Sequence, residues 1–293
     1  MENAKVFVVT SGKGGVGKTT IVANLGATLA KKGYNICLID ADIGLKNLDI
    51  VLGLENRVVY TIIDVVSGNK SVTDALVKHK QLKNLSLLAS SQVANKDMVS
   101  PEDMVEIVTN LSKHFHYIII DSPAGIERGF KNAVVAAQHA IIVTTPDLTA
   151  ISDADRVVGL LENQGYTEKN MSLIVNRIKP KLVKRNEMLS AEDIKNALAL
   201  NLLGIIPDSE EILISTNEGN PLSVSQGSKL NNVFNNISDR ILGKEISLEK
   251  DLSELDHAPE GFIEFIKRLF RRRGWRKKCG PLLKNQRKPE RLL

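Results

Sequence analysis

The chain has 293 residues, 43% of them hydrophobic, 4% aromatic and 25% charged, the balance of a soluble globular protein with room for one α/β domain or two small ones. No run approaches the roughly 18 apolar residues of a membrane-spanning helix, and two cysteines, Cys37 in an apolar run and Cys279 in a polar tail, exclude a disulfide framework. The formal charge of +5 is unevenly placed: residues 267–293 hold twelve Lys and Arg against one acid, so residues 1–266 sum to −6 and lack a strongly basic nucleic-acid face.

Taken in chain order, residues 6–9 (VFVV) read as a short buried strand, early enough to leave no room for a signal or transit peptide. The stretch SGKGGVGKTT follows at 11–20. Its residues Ser11, Gly12, Lys13, Gly14, Gly15, Val16, Gly17, Lys18, Thr19 and Thr20 contain a complete GxxxxGK[ST] loop. In such a loop backbone N–H groups wrap phosphates, the lysine (Lys18) reaches the β/γ oxygens and the hydroxyl (Thr19) ligates Mg²⁺. Lys13 is surplus to that pattern. A helix is predicted over 19–32, closed by Gly33, so that strand, glycine turn and helix N-terminus together form an anion site.

Further strands are predicted at 36–40, 85–88, 117–121, 140–144, 172–175 and 202–206, each a continuous rather than alternating apolar run, the signature of a sheet covered on both faces. Helix starts are predicted at Ser71 with Asp74, at Ser100 with Pro101 and Asp103, and at Ser190 with Asp193, each an N-cap followed by an acid three residues on. Alternating strands and helices imply right-handed parallel crossovers. The fold class is therefore α/β, a phosphate-loop NTPase with a predominantly parallel open sheet and helices on both faces. Ligands of such sheets lie beyond the carboxyl ends of the strands. Three acids sit there: Asp40 and Asp42 after ICLI, and Asp121 after YIII. Asp121 fits the carboxylate that holds Mg²⁺ directly or through water, joining Thr19 and Asp42 as metal candidates. Asp40 and Asp42 are candidates for orienting the attacking water and sensing the γ-phosphate, and residue type alone does not say which does which; hydrogen bonding to the neighbouring loop is the ordinary alternative for both. Gly125 suits a second mobile segment, or simply a turn.

Near the end, PEGFIEFIKRLFRRR places Phe262, Ile263, Phe265, Ile266, Leu269 and Phe270 on one helical arc, with Glu264, Lys267, Arg268 and Arg271 opposite. A helix of this kind docks on its own protein or lies in a membrane interface. Five basic residues between 267 and 273 favour an anionic membrane surface, each contributing about 1 kcal/mol there. The expected organisation is an ATPase domain over 1–258, an amphipathic membrane-targeting helix over 259–273, and a basic tail over 274–293.

KGGVGKT, with Lys13 five residues ahead of Lys18, resembles the deviant phosphate-loop ATPases of the MinD/ParA family. LIDADIGLKNLDIVLGLENRVVYTIIDVV, IIIDSPAGIERGF and ADRVVGLLE carry the resemblance along most of residues 4–270, towards its septum-site-determining branch of cyanobacterial and plastid type. What the resemblance implies is a weak Mg²⁺-dependent ATPase stimulated by a partner. Lys13 reaches across an ATP-sandwiched homodimer to the partner's phosphates, and Lys13, Lys18, Asp40 and Asp42 form the catalytic set. Asp40 matches the hydrolytic aspartate, Asp42 the switch aspartate and Asp121 the Mg²⁺-site aspartate. Asn176, with Arg177 beside it, matches the adenine-recognition position. The resemblance also implies a MinC-like division inhibitor and a MinE-like topological-specificity factor as partners. The expected location is the chloroplast stroma and inner envelope surface, with a bacterial cytoplasm and inner membrane second. The rival expectation is a ParA-like DNA or cargo partition ATPase, against which the −6 body and amphipathic terminus speak.

Overall fold

The computed structural model describes residues 3–45, 47–92, 98–224, 228, 230–248 and 251. The expected helix over 259–273 and the basic tail, with Phe262 to Phe270, Lys267, Arg268 and Cys279, lie outside the described residues. Strand β1 (Lys5–Thr10) leads through the glycine loop into α1 (Lys18–Lys31) and then β2 (Ile36–Asp40). Short helices α2 (Leu48–Val51) and α3 (Ile62–Val66) precede the hairpin β3 (Val77–Lys78) and β4 (Leu85–Leu88). After it come α4 (Pro101–Leu111), β5 (Tyr117–Asp121), α5 (Arg128–Val135), β6 (His139–Thr144) and α6 (Leu148–Asn163). The last elements are β7 (Met171–Ile178), α7 (Pro180–Lys184), α8 (Ala191–Leu198), β8 (Asn201–Pro207), α9 (Glu210–Asn217) and α10 (Leu230–Ile241).

The eight strands form one sheet in the order β3-β4-β2-β5-β1-β6-β7-β8, parallel at every pairing except β3·β4. The continuous apolar runs are buried throughout in β2, β4 and β5, because α1, α2 and α10 cover one face while α4, α5, α6 and α8 cover the other. That two-sided burial is the reason these strands show no alternation. With β5 and β6 on either side of β1, the connections diverge there, and the crevice beyond its carboxyl end is the position where open α/β sheets hold ligands.

Two predicted helix starts stand as capping boxes: Ser100 with Asp103 opens α4 and Ser190 with Asp193 opens α8. The third does not open a helix. Ser71 Oγ donates to Asp74 Oδ2 at 2.7 Å and the Asp74 N–H donates back to Ser71 Oγ at 3.2 Å, but the chain makes only one turn before entering β3. A cap satisfies orphan N–H groups of whatever turn follows, and here the apolar stripe needed to continue a helix is spent on an edge strand. Strand β3 itself was not predicted: two residues are too few to give a period, and it pairs antiparallel at the sheet edge. Helix α1 begins one residue earlier than predicted and ends at Lys31, with Gly33 at φ +94 and its N–H donating to the Ala30 carbonyl. Among the described residues no helix is long and apolar enough to cross a membrane.

Candidate nucleotide site

Between the end of β1 and the first turn of α1, the loop turns through Gly15 (φ +75) and Gly17 (φ +99), a left-handed backbone that L side chains rarely adopt. Space is as restrictive as torsion. A Cβ on Gly12 would stand 2.3 Å from the Asp153 carbonyl oxygen of α6, and one on Gly17 would stand 2.4 Å from Asn176 Nδ2 at β7. The loop is thus wedged between two elements more than 130 residues downstream. No side chain caps α1 and no acid lies in its first turn, so its N–H groups and positive dipole end are presented to an anion.

Lys18 lies on the floor of this cradle, 8% exposed, its Nζ donating to Ser11 Oγ at 3.0 Å. Ser11 Oγ in turn donates to the Lys13 carbonyl at 2.8 Å. Burial lowers the Lys18 pKa, opposed by the nearby Asp121 and Asp42 carboxylates. Asp40 and Asp121 occupy register-matched positions at the ends of adjacent parallel strands, and both are almost wholly buried. Burial raises both carboxyl pKa values, and for Asp121 the neighbouring Asp40 adds to the rise.

The two acids have different occupations. Asp40 accepts backbone N–H groups from Asp42 at 3.0 Å and from Asn47 and Leu48 at 3.2 Å. It therefore organises the loop that carries Asp42, which is the ordinary alternative left open by residue type. Asp121 receives a hydrogen bond from the Thr19 side chain, while its Oδ1 is buried without a hydrogen-bond partner. The Asp42 carbonyl accepts from Ser90 Oγ at 3.1 Å, tying this segment to the end of β4.

Lys13 is on the rim. Its Nζ lies 3.2 Å from Asp147 Oδ1 and 3.0 Å from Thr149 Oγ1, with side chains of lysine and aspartate both nearly half exposed. Asp147 caps α6 by accepting the Ala150 N–H at 3.0 Å. Burial alone would raise its pKa, but hydrogen bonds from Thr145, Thr149, Ala150 and Lys13 together hold the carboxyl down to about 2. Sequence reasoning passed over Asp147 and Thr149, although PDLTA carries the N-cap pattern that could have flagged them.

Asn176 Nδ2 donates to the Val16 carbonyl at 2.8 Å, bracing the loop, while its Oδ1 accepts the Arg177 N–H of its own strand at 2.9 Å. Arg177 follows with a left-handed backbone at φ 58. The Gly125 N–H, at φ +90, donates to the Ser11 carbonyl at 3.1 Å and brings the chain beyond Asp121 against the loop.

The residues fit a nucleotide with its cation. The unpartnered Asp121 Oδ1, the Thr19 hydroxyl beside it and the two strand-end carboxyls, raised chiefly by burial, form a set of oxygen donors next to a phosphate cradle. Among the described residues no group of three or more His, Cys, Asp and Glu side chains could hold a metal. A Mg²⁺ here would complete its oxygen shell from phosphates and water, as phosphate-loop sites do.

Fold and site together define the class, a phosphate-loop ATPase with Mg²⁺ and ATP as cofactors. Residues 7–222 match the family described as CobQ/CobB/MinD/ParA nucleotide binding domain. The septum site-determining protein MinD of Thermotoga maritima is 58% identical over 265 residues, covering 90% of this chain and 97% of that one. Among solved structures, MinD in a MinC:MinD cell division complex from Aquifex aeolicus is 45% identical with a TM-score of 0.77, over 84% of this chain and 98% of that one. The MinD of Pyrococcus horikoshii, solved with Mg-ADP, is 28% identical with a TM-score of 0.73, over 81% and 96%. The chain belongs to the CobQ/CobB/MinD/ParA nucleotide-binding family. Relatives described as MinD also come from Synechocystis, Guillardia theta and Chlorella vulgaris, so the likeness is spread over bacteria, archaea and algae rather than confined to the cyanobacterial and plastid type.

Proposed function

We propose that this chain is a MinD-type, ATP-dependent spatial regulator of division-septum placement that works at a membrane surface. The observation that carries the reading is the two-lysine loop: Lys18 is committed to the floor, while Lys13 stands exposed at the rim, its ammonium turned to Asp147 and solvent rather than into the phosphate cradle. Bound Mg²⁺ supplies charge neutralisation of the phosphates. Thr19, Asp121 and Asp42 would hold it; Lys18 would steady the β/γ oxygens; Asp40, at the position of the hydrolytic aspartate, would orient the attacking water while it orders the backbone of Asp42, Asn47 and Leu48. Asn176 and Arg177 shape the base end of the site. Lys13 leaves Asp147 to reach the phosphates held by a partner subunit, so ATP makes the homodimer.

The dimer then presents two amphipathic helices, Phe262, Ile263, Phe265, Ile266, Leu269 and Phe270 facing the lipid with Lys267 and Arg268 at the headgroups. One such helix binds marginally and two bind with the advantage of effective concentration. A MinC-like inhibitor is the recruited partner and a MinE-like factor stimulates hydrolysis, releasing both. The organisation as 1–258, 259–273 and 274–293 belongs to this reading, as does a plastid setting, supported by relatives from algae and from Synechocystis. A partition ATPase acting on DNA shares the fold, and the acidic body tells against it.

The test is co-sedimentation with anionic vesicles, full length against a chain ending at Ala258, each with ADP and with a non-hydrolysable ATP analogue. Binding that requires both triphosphate and terminal segment is expected. Nucleotide-indifferent binding, or duplex DNA binding in its place, would overturn the coupling.

A further inference from the structure

Arg240, in the last turn of α10, makes five hydrogen bonds, one for each guanidinium N–H. Nε donates to the Ile246 carbonyl at 2.9 Å; Nη1 donates to the Leu203 carbonyl of β8 at 2.9 Å and to Asp251 Oδ2 at 2.6 Å; Nη2 donates to the Ser247 carbonyl at 3.0 Å and to Asp251 Oδ1 at 3.1 Å. Asn236 Nδ2 adds a bond to Asp251 Oδ1 at 2.8 Å, and the Asp251 N–H donates to the Leu248 carbonyl at 3.0 Å. The side chains of Arg240 and Asp251 are 9% and 0% exposed. A bidentate, fully donated guanidinium is a geometric lock rather than a surface ion pair. After α10 the chain turns at Gly243 (φ +84), folds back so that the Ile246 and Ser247 carbonyls face Arg240, and is fastened at Asp251 beside an edge strand. None of this serves the nucleotide site, and burying an ion pair to hold a short return loop brings little stability by itself.

We infer that the Arg240–Asp251 clasp is the anchor of the membrane-binding segment, fixing the point beside β8 from which the chain departs and so setting that segment's reach. The inference rests on residues 259–273 being the membrane-binding helix. From Asp251 to Pro259 is eight residues, at most about 29 Å of extended chain. Released back to Gly243, the tether becomes sixteen residues and at most about 58 Å. Effective concentration of the second helix of a dimer falls as roughly the −3/2 power of tether length, so doubling the tether weakens two-helix binding about threefold. The clasp converts a fold detail into membrane avidity without touching lipid.

The full-length protein tests this with two variants: Arg240→Met, which removes all five bonds of the clasp, and an eight-residue Gly/Ser insertion after Ala258, which lengthens the tether and leaves the clasp intact. The first readout needs no lipid. Pulsed EPR distances between spin labels at Asn201 and Glu260, in a Cys279→Ser background, are expected to shift longer and broaden in both variants. The second is binding to phosphatidylglycerol/phosphatidylcholine vesicles with the ATP analogue, expected to weaken about threefold in both, while melting temperature and lipid-free ATP turnover report an intact body. Unchanged distances in Arg240→Met, or weakened vesicle binding in Arg240→Met that the insertion does not reproduce, would overturn the anchor. A parent protein that fails to bind vesicles would overturn the membrane reading, and the distance arm would still decide the clasp.

Discussion

Lys18 and Lys13 are five residues apart in one loop and live in opposite surroundings. Lys18 is buried, bonded to Ser11 from the same loop and flanked by carboxylates at strand ends. Lys13 is solvated and held by Asp147 and Thr149, 134 and 136 residues away on α6. The floor of the site is built by a contiguous motif and must be rigid to bind phosphate; the rim is assembled by tertiary contact and is loosely held. The contrast separates two jobs. An ammonium that has lost water on burial is fixed to one task, whereas a half-exposed ion pair worth roughly 0–1 kcal/mol can be exchanged for a better anion.

The sharpest way to break this comparison is to exchange the lysines' fates. Lys18→Met is expected to cut steady-state ATP turnover by about 10²–10³-fold, on the order of 3–4 kcal/mol of transition-state stabilisation, with nucleotide affinity lost as well. Lys13→Gln is expected to keep monomer ADP affinity, measured by calorimetry, while losing ATP-dependent dimerisation in sedimentation; equal loss of ADP binding in the two variants would erase the distinction between floor and rim.

Next in size is the wedge that holds the loop. Gly12→Ala drives a methyl towards the Asp153 carbonyl and should cost about 1–3 kcal/mol, read as a drop of several degrees in melting temperature. The paired strand-end acids come third. Their folded pKa values lie above the ordinary carboxylate range near 4, so the charged forms cost stability, the cost being absent at low pH and growing as pH rises towards neutrality. Nucleotide-free protein should therefore melt at lower temperature as pH rises from about 5 to 8, by up to about 1.4 kcal/mol per pH unit for each such group. Asp121→Asn should flatten that slope and abolish Mg²⁺-dependent turnover; a slope indifferent to the substitution would show that the acids do not compete. The smallest effect belongs to the rim: Asp147→Asn keeps the α6 cap and removes the charge, and should shift stability by less than about 1 kcal/mol, fading with salt.

What was legible follows the same division. The phosphate loop, the ends of the strands and the Ser100 and Ser190 caps were readable because each depends on residues close in sequence. The pairing of Lys13 with Asp147 and Thr149 and the Arg240–Asp251 clasp were not, since partners separated by eleven to 136 residues carry no period or spacing. Asp40 shows the intermediate case. Its position at a strand end was evident, but its use of both oxygens to gather the Asp42–Leu48 segment depends on a loop path that no pattern encodes. The Ser71 pair misled for the opposite reason: the local chemistry formed as read, and the chain three residues on was claimed by the sheet at Val77–Lys78.

The two rims of the sheet have a bearing on how many copies can crowd together. One rim is the two-residue β3, too short to template another strand. The other, β8, ends in Pro207, and its Leu203 carbonyl is already taken by Arg240. A protein that gathers densely on a surface multiplies every chance encounter between unpaired strand backbones. Among the described residues, then, one margin is short and the other is interrupted by Arg240 and closed by Pro207, which shortens the ladder that a crowded neighbour could pair with.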